Sequence, residues 1–278
     1  MPRESTSILM ATKKKFLVVT DLDSTLLDHN YNCDEAKPAL ACLRELRLPL
    51  VLNSSKTVAE MENLAMHLGL HSPLVAENGG LLAIPNESTG GYSVQIKGLP
   101  RKEILEAAHN LRCQMGYKFE GFADWSDQEL AERSGLSITQ SKLSRARLAT
   151  EPISWNDTEP QRLEFADQLG VLGIRMLRGG RFWHLMGAPD KADGIASALE
   201  YYQEREPDTD WLVIALGDSA NDTAMLEAAD IAVVIPHADG AHISPKAPRV
   251  VHASFPASKG WNAAILLLLD ECPEHCST

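Results

Sequence analysis

The sequence is poor in cysteine, and most of its five cysteines lie far apart. An odd number of thiols without repeated spacing does not predict a disulfide framework. Cys272 and Cys276 are close to one another, but no second pair of metal-binding residues accompanies them, so a structural zinc site is not expected. We therefore expect a reduced, cytoplasmic protein.

The sequence also lacks a long apolar run. The aliphatic run at residues 265–269 is far shorter than the roughly 20 residues that a membrane-spanning helix needs. Residues 1–15 are polar, end in three lysines and contain no apolar stretch of the kind that a signal peptide requires. We expect residues 1–15 to be a disordered leader, and we expect no membrane partner.

An excess of positive charge is absent as well, because the net charge at pH 7 is −12. This balance disfavours a general affinity for nucleic acid or for an anionic membrane surface. A small anionic ligand remains possible, since a few basic side chains can converge on one site. We expect a small-molecule partner and no nucleic acid.

What the sequence does contain is a buried strand that leads into two aspartates. Residues 16–19 are all apolar, and Asp21 and Asp23 follow them. Side chains two residues apart in an extended segment point the same way, so both carboxylates face one place beyond the strand. In an open parallel sheet, ligands bind at that end of the strands. Two adjacent anions there need a cation or a proton to neutralise them.

The alternation of strands and helices predicts the fold class. Further buried strands are predicted at residues 48–53, 74–76, 211–216 and 231–235. Strands that alternate with amphipathic helices predict an α/β fold with a Rossmann-like, doubly wound parallel sheet. After about residue 85 the pattern changes to mixed strands and helices, which predicts an inserted α+β domain.

The expected domain division follows from that change. Residues 16–84 and 187–278 form a discontinuous core domain, and residues 85–186 form the inserted domain. Helix starts in both parts are marked by capping boxes, which begin at Thr57, Ser126 and Ser137.

Polar residues suited to phosphate chemistry follow several predicted strands or precede a helix. Because the carboxyl ends of neighbouring parallel strands converge on one crevice, we expect these side chains to lie together. Carboxylates beside other oxygen donors form a hard site that suits Mg²⁺ better than a thiophilic metal. The residues are Asp21, Asp23, Ser54, Lys191, Asp218 and Asp222.

At these positions the sequence resembles the haloacid dehalogenase superfamily of phosphatases. The residues of its four motifs occur in order, as Asp21-Leu22-Asp23-Ser24-Thr25, Ser54, Lys191 and Gly217-Asp218-Ser219-Ala220-Asn221-Asp222. The first and last motifs together are specific, whereas either alone would be only suggestive. Ser24 departs from the pattern, since many relatives have glycine there. A small residue is kept, so we expect the loop to persist with less backbone freedom.

The resemblance implies a mechanism that passes through an aspartyl-phosphate. Asp21 would be the nucleophile, and Asp23 would protonate the leaving alcohol and then activate a water molecule. Ser54 would donate a hydrogen bond to a phosphoryl oxygen, and Lys191 would offset the charge that develops there.

The same resemblance implies a Mg²⁺ site. Its ligands would be the carboxylates of Asp21 and Asp218 and the backbone carbonyl of Asp23. Asp222 and Asn221 would orient the ion, its waters or the motif lysine. Asp222 is equally well interpreted as an acid at a helix N-terminus, where the helix dipole favours it.

The inserted domain corresponds to the mobile C2-type cap of the Cof-type branch of this superfamily. Such a cap excludes water and selects the substrate. Three further segments, at residues 53–57, 77–79 and 178–184, resemble the mannosyl-3-phosphoglycerate phosphatases. The substrate contacts that this resemblance implies are Ser55, Lys56, Glu77, Asn78, Arg178, Gly179, Gly180, Arg181 and Asn221.

A phosphoglycerate carries a carboxylate as well as a phosphate, so it needs a second anion site. Arg178 and Arg181, with two glycines between them, could supply forked donors and backbone N–H groups, but they equally fit a hairpin turn with solvated arginines. Lys56 is either a contact of the carboxylate or a solvated lysine. Glu77 either accepts sugar hydroxyls or caps the following loop. His184 is more typical of a packed strand residue than of a ligand contact.

The resulting expectation is a Mg²⁺-dependent phosphatase that acts on a glycosylated 3-phosphoglycerate. Another sugar phosphate, such as sucrose-phosphate, fits the same motifs because the cap decides the substrate. The motifs are also compatible with a sugar phosphomutase and with a non-catalytic sugar-phosphate sensor. The intact Asp21/Asp23 pair disfavours the sensor, since a binding protein has no use for a paired nucleophile and acid.

Overall fold

Two β-sheets organise the chain in the computed structural model, which describes residues 13–275. The strands are β1 (Lys13–Thr20), β2 (Leu50–Asn53), β3 (Leu74–Ala76), β4 (Leu81–Asn86), β5 (Gly91–Ile96), β6 (Phe119–Gly121), β7 (Thr150–Trp155), β8 (Arg175–Arg178), β9 (Trp183–Met186), β10 (Thr209–Gly217), β11 (Ile231–Val234) and β12 (Arg249–His252). The α-helices are α1 (Lys37–Glu45), α2 (Val58–Leu68), α3 (Arg101–Met115), α4 (Asp127–Ser134), α5 (Ile138–Arg145), α6 (Glu159–Val171), α7 (Lys191–Arg205), α8 (Thr223–Glu227) and α9 (Ala257–Glu271). Within this described part of the chain, no helix has both the length and the apolar character that crossing a membrane requires.

The larger sheet has the strand order β12-β11-β10-β1-β2-β3-β4-β5. The strands from β12 to β3 are parallel, and the hairpin of β4 and β5 is antiparallel. Strand β1 lies between β10 and β2, so the chain winds outwards from β1 in both directions. The expected doubly wound α/β sheet is therefore confirmed.

Helices cover both faces of this sheet because β1 presents apolar side chains to both. Phe16 and Val18 belong to the apolar cluster that includes α1, α2 and α9, and Leu17 belongs to the cluster on the opposite face with α7 and α8. Trp261 of α9 is fully buried and donates its indole N–H to Thr20 Oγ1 at 3.0 Å. The carboxyl end of β1 is thus held firmly at one edge of the sheet.

The segment between β5 and α7 forms a sheet of its own, with the strand order β6-β7-β9-β8. All of its strand pairs are antiparallel. Helices α3 and α6 pack on this sheet through a separate apolar cluster that includes Ile104, Ile153, Phe165 and Leu185. A mixed α+β segment inserted into an α/β sheet is the expected architecture.

Two of the expected boundaries need correction. The leader does not extend to residue 15, because Lys13–Thr20 pairs with β10, and Lys15 is buried with its ammonium 2.6 Å from Glu206. Residues 1–12 lie outside the described residues. The inserted domain does not begin at residue 85, because β4 and β5 extend the larger sheet as far as Ile96.

A glycine lets α7 approach the larger sheet closely. A Cβ atom on Gly194 would lie 2.4 Å from Val75 Cγ1 and 3.0 Å from Asn53 Nδ2. We expect Gly194→Ala to lower the free energy of unfolding by about 1–3 kcal/mol, because the added methyl group overpacks this contact. Urea denaturation measures the change.

The matched control is Gly170→Ala in α6, where an added Cβ would meet nothing within 4 Å. We expect this variant to be as stable as the parent or more stable by about 0.5–1 kcal/mol, since alanine favours a helix. Equal effects of the two substitutions would contradict the close-packing interpretation of Gly194.

Candidate active site

The carboxyl ends of β1, β2 and β10 lie side by side, and each is followed by a polar residue of the predicted motifs. The last residue of β1 is in register with residues of both β2 and β10. Asp21, Ser54 and Asp218 follow these strand ends, and all three are buried. These three residues lie together because of the strand order. The chain adds strands on one side of β1 first and on the other side later, and a crevice forms at the carboxyl end of the strands where the order reverses.

Lys191 joins two of the aspartates. It is the first residue of α7, whose preceding residue Asp190 caps the helix by accepting the backbone N–H of Ala192. The Lys191 side chain is buried, and its Nζ lies 2.5 Å from Asp21 Oδ1 and 2.6 Å from Asp222 Oδ1. Burial lowers the pKa of Lys191, but the two carboxylates outweigh this effect and hold the pKa above its ordinary value. The ammonium is therefore charged and fixed in place.

Both carboxylate oxygens of Asp222 are engaged. Oδ1 contacts Lys191, and Oδ2 accepts the backbone N–H groups of Asp218 and Ser219 at 3.2 and 3.1 Å. Asp222 also lies at the end of the turn that precedes α8, as the interpretation as a helix N-terminal acid predicts. Its carboxylate is fully buried and holds both the lysine and the loop that carries Asp218.

The carboxylates of Asp21, Asp218 and Asp222 form a cluster that fits a divalent cation. One oxygen of each lies within 4.8 Å of the other two. Thr25 Oγ1 donates a hydrogen bond to Asp218 Oδ1 at 2.8 Å and so orients that carboxylate. Burial raises the pKa of Asp21 well above its ordinary value; Lys191 opposes this shift, and the neighbouring carboxylates add to it. A hard cation with oxygen ligands offsets such repulsion, so the donor set fits Mg²⁺.

The carboxylate of Asp23 is not part of this cluster of described residues. Its Oδ2 lies 2.9 Å from the ammonium of Lys56, which in turn lies 4.9 Å above the ring of Tyr31. The predicted role of the Asp23 backbone carbonyl as a metal ligand stays a prediction. Lys56 is not a solvated lysine, because its side chain is largely buried and paired with Asp23.

A cavity of about 510 Å³ opens in front of these residues, between the larger sheet and the inserted segment. This volume lies within the range of pockets that hold small molecules. The predicted site residues that line it are Asp21, Asp23, Ser55, Asn78, Arg178, Gly179, Gly180, Asp218 and Asn221. Ser54, Lys191 and Asp222 are buried behind this lining, and each contacts one of the lining residues. The Ser54 carbonyl accepts the N–H of Asn78, Lys191 contacts Asp21, and Asp222 accepts the N–H of Asp218.

The turn between β8 and β9 supplies one wall of the cavity. The Gly179 N–H donates to the Phe182 carbonyl at 2.9 Å, so the segment is a hairpin turn, as one of the two interpretations predicts. Arg178 borders the cavity with its guanidinium over the Trp183 ring, whereas Arg181 is exposed and its guanidinium lies beside Gly135, at the end of α4. The turn is thus both a hairpin and a cavity wall, and the two arginines differ in their positions.

Glu77 is engaged with the inserted segment and does not border the cavity. Its side chain is fully buried. Oε1 accepts the N–H of Leu148 at 2.8 Å, and Oε2 accepts the N–H of Ala149 at 3.0 Å and the hydroxyl of Thr150 at 2.7 Å. The structure does not support the prediction that Glu77 accepts sugar hydroxyls, because the side chain is fully buried and already accepts three hydrogen bonds from the inserted segment. Glu77 does cap a loop, but not the loop that directly follows it. The loop that it caps contains Leu148, 71 residues further along the chain.

The backbone around this glutamate is strained. All three residues of the Glu77–Gly79 segment have positive φ values of 52, 58 and 90°, which non-glycine residues adopt only at a cost. A Cβ atom on Gly79 would lie 1.9 Å from the Asp190 carbonyl oxygen, so only glycine fits there. Backbone N–H groups of the segment donate to the carbonyls of Ser54 and Lys56. This one strained segment therefore touches the Ser54 loop, the start of α7 and the inserted segment.

Ser24 also has a positive φ, of 61°. It occupies the position where the first motif departs from the glycine of many relatives. The loop persists as expected, although serine in this conformation costs about 1 kcal/mol more than glycine.

Two basic residues at the site were missed by the sequence reasoning. Arg147 is buried and donates from Nη1 to Thr150 Oγ1 at 2.8 Å and to the Ser55 carbonyl at 3.2 Å. His237 borders the cavity, and its Nε2 lies 2.9 Å from Asp218 Oδ2. His237 follows the end of β11, so the strand-end rule that identified Asp218 could have found it. Arg147 carries no comparable signal.

The family is decided by comparison with known proteins. A family model described as haloacid dehalogenase-like hydrolase matches residues 18–137. The curated glucosyl-3-phosphoglycerate/mannosyl-3-phosphoglycerate phosphatase of Methanococcoides burtonii is 34% identical over 267 residues, which cover 92% of this chain and 97% of that protein. The chain belongs to the haloacid dehalogenase-like hydrolases. The resemblance seen in the motifs is confirmed, and so is the expectation of an enzyme of the phosphatase class.

Solved structures share the fold of this hydrolase. A phosphatase of the same superfamily from Bacteroides thetaiotaomicron, BT1666, has a TM-score of 0.64 at 16% identity, over 99% of this chain and 98% of that one. The subclass IIB sugar phosphatase BT4131 has a TM-score of 0.60 at 14% identity, over 94% of this chain and 99% of that one. At these identities the likeness establishes the common fold, the inserted segment included.

The buried carboxylate of Glu77 provides a test of how the inserted segment of this hydrolase is attached. We expect Glu77→Gln to lower the free energy of unfolding by about 1–3 kcal/mol, because the amide cannot accept on both sides and leaves a buried donor unsatisfied. We also expect faster hydrogen exchange at the amides of Leu148 and Ala149. Urea denaturation and exchange mass spectrometry measure the two effects.

The matched control is Glu87→Gln, an exposed glutamate in the turn between β4 and β5. It should change neither quantity. Unaltered exchange at residues 148–149 in the Glu77 variant would mean that the three hydrogen bonds contribute little to the attachment.

Proposed function

We propose that this hydrolase is a Mg²⁺-dependent phosphomonoesterase that dephosphorylates a glycosyl-3-phosphoglycerate, with mannose or glucose as the sugar, and acts in the cytoplasm. The observation that carries the proposal is the 34% identity to the curated phosphatase of that substrate class over nearly the whole of both chains. The chemistry is supported by Asp21, which borders the cavity beside the buried ammonium of Lys191.

In the first step, a carboxylate oxygen of Asp21 attacks phosphorus. The bond from phosphorus to the ester oxygen breaks, and the leaving oxygen takes a proton from the carboxyl group of Asp23. The products are an aspartyl-phosphate and the free glycosylglycerate. Lys191 offsets the negative charge at the phosphoryl group, since its ammonium is held 2.5 Å from the attacking residue.

In the second step, Asp23 removes a proton from a water molecule. The water oxygen attacks phosphorus, and the bond from phosphorus to Asp21 breaks. Inorganic phosphate leaves, the Asp21 carboxylate is restored, and Asp23 is protonated for the next turnover. One carboxyl group thus serves as acid and then as base, which requires it to face both the leaving oxygen and the water.

Asp21 and Asp218 would hold Mg²⁺, and the ion would supply positive charge that neutralises the carboxylate cluster and polarises the phosphoryl oxygens. Thr25 orients Asp218 for this role, and Asp222 keeps Lys191 directed at Asp21. The carbonyl of Asp23 is the further oxygen ligand that we propose.

The glycerate carboxylate has two cationic groups available to it. Arg178 borders the cavity with a forked guanidinium that suits a carboxylate. The ammonium of Lys56 is paired with Asp23, whose side chain borders the cavity. We propose that the substrate carboxylate competes for Lys56, which would release Asp23 for proton transfer.

The nucleophile is tested with Asp21→Asn. We expect the rate of phosphate release from mannosyl-3-phosphoglycerate to fall by about 10³-fold or more, because an amide cannot form the acyl phosphate. For the parent protein, we expect phosphate release to require Mg²⁺ and to stop when EDTA is added. A colorimetric phosphate assay measures both effects, and circular dichroism checks that the variant is folded.

Different results in this assay would point to a different function. Binding of the ester without phosphate release by the parent protein would indicate a sensor. Conversion of a hexose 1-phosphate into its 6-phosphate would indicate a mutase. Faster hydrolysis of a sugar phosphate that lacks glycerate would indicate that the substrate is another sugar phosphate. Substantial activity in Asp21→Asn would contradict the nucleophile assignment.

The two arginines of the β8–β9 turn form a matched pair of variants. We expect Arg178→Ala to raise the KM for mannosyl-3-phosphoglycerate about 10- to 100-fold, the effect of losing one charge-assisted hydrogen bond. Arg181→Ala should leave it near the parent value, since Arg181 lies beside α4. Steady-state kinetics measure both, and a similar rise in KM for both variants would contradict the proposed role of Arg178.

A further inference from the structure

A buried histidine with an unused hydrogen-bonding atom forms part of the cavity wall. His184 lies on β9, borders the cavity and is only 9% exposed. Its Nδ1 is buried and has no hydrogen-bond partner among the described residues. Buried polar atoms are rarely left without a partner, because the loss of hydration is then uncompensated. An unsatisfied nitrogen in the wall of a site is accordingly a candidate for ligand contact.

The turn beside this histidine leaves room for its ring. A Cβ atom on Gly179 would lie 2.7 Å from Nε2 and 2.8 Å from Cδ2 of His184, so any other residue at this position would displace the ring. Gly179 has no positive φ that would itself require glycine. Its role is therefore steric, and the space that it leaves is occupied by the imidazole.

The surroundings of His184 keep the imidazole uncharged. Burial lowers the pKa of His184 to about 3, and the positive charges of Arg147 and Lys191 contribute to the shift. A neutral imidazole offers one N–H donor and one acceptor, and a half-turn of the ring exchanges the positions of nitrogen and carbon atoms. Such a group matches a hydroxyl, which also donates and accepts.

A second neutral polar group borders the same cavity. Asn78 is 3% exposed, and its Oδ1 is also buried without a hydrogen-bond partner among the described residues. In the proposed function, the charged parts of a glycosyl-3-phosphoglycerate have other contacts, since Lys191 is assigned to the phosphate and Arg178 to the carboxylate. The part of that ligand left for a neutral donor and acceptor pair is the hydroxyl-bearing sugar.

We propose that His184 is a specificity-determining residue that, together with Asn78, hydrogen-bonds the sugar hydroxyls of the substrate, while Gly179 keeps the imidazole in place. This inference rests on the proposed function. It assigns the selection of a glycosylated substrate over bare 3-phosphoglycerate to these two uncharged side chains.

The test compares kcat/KM for mannosyl-3-phosphoglycerate with kcat/KM for 3-phosphoglycerate. We expect the ratio of the two to fall about 10- to 100-fold in His184→Phe, because the ring is kept and its hydrogen bonds are lost. Gly179→Ala should lower the ratio in the same direction by displacing the ring. The control is His109→Phe on α3, a partly exposed histidine of the inserted segment away from the cavity, which should keep the parent ratio.

A second measurement remains available if His184→Phe does not fold. In ¹⁵N-histidine-labelled Asp21→Asn protein, the His184 ring nitrogens should show a neutral tautomer from pH 8 to pH 5. Their chemical shifts should move on addition of mannosyl-3-phosphoglycerate and stay in place on addition of 3-phosphoglycerate.

The two proposals fail in different ways. If the parent protein releases no phosphate from either ester, the proposed function is wrong. If it hydrolyses mannosyl-3-phosphoglycerate but the ratio of the two kcat/KM values is the same in His184→Phe and in the parent, only the role of His184 is overturned. The same conclusion follows if the His184 nitrogen shifts do not change when mannosyl-3-phosphoglycerate is added.

Discussion

The active site depends on one buried ammonium. Lys191 is almost completely removed from water, and its charge is balanced by Asp21 on one side and Asp222 on the other. Removing one partner of such a buried pair typically costs about 3–5 kcal/mol, because the remaining charge is left uncompensated. The three residues are separated by long stretches of chain, so this ion-pair network can form only when the central strands are correctly assembled.

Much of the surrounding structure positions that ammonium. Asp190 caps α7 directly before Lys191, and the side-chain amide of Asn53 donates to the Lys191 carbonyl at 2.8 Å. Gly194 lets the first turn of α7 lie against β3. The carboxylate of Asp222 is fixed by two backbone N–H groups of the loop that carries Asp218. Cation site, nucleophile and lysine are therefore parts of one arrangement at the edge of the sheet.

The parts of the fold that could be predicted from the sequence are those with local signals. The apolar run before Asp21 identified β1, and the capping boxes at Thr57, Ser126 and Ser137 each open a helix in the structure. The convergence of Asp21, Ser54 and Asp218 follows from a general rule about parallel sheets and needs no knowledge of side-chain contacts.

Most of the parts that were not predicted lack such signals. Strand β12 is four residues long and only half-buried, so it does not stand out in the sequence. Strand β5 does alternate Tyr92, Val94 and Ile96 with Ser93 and Gln95, but it follows a turn-rich stretch and this signal was overlooked. The engagement of Glu77 by residues 148–150 and the position of Arg147 arise from contacts between segments far apart in the chain. Residue type and spacing carry no information about such partners, which become apparent only when the two sheets are placed together.

The inserted segment is fastened unequally to the larger sheet. On one side, the Glu77 carboxylate accepts three hydrogen bonds in a fully buried setting. On the side of α5, Thr57 Oγ1 donates a single hydrogen bond to the Leu143 carbonyl at 2.9 Å. Separation at Glu77 would leave a buried carboxylate without its three donors, whereas near α5 the hydrogen bonds of Thr57 to Leu143 and of Arg147 to Ser55 would have to break. The buried Glu77 carboxylate thus ties the inserted segment to the larger sheet more strongly than the Thr57 hydrogen bond to α5 does.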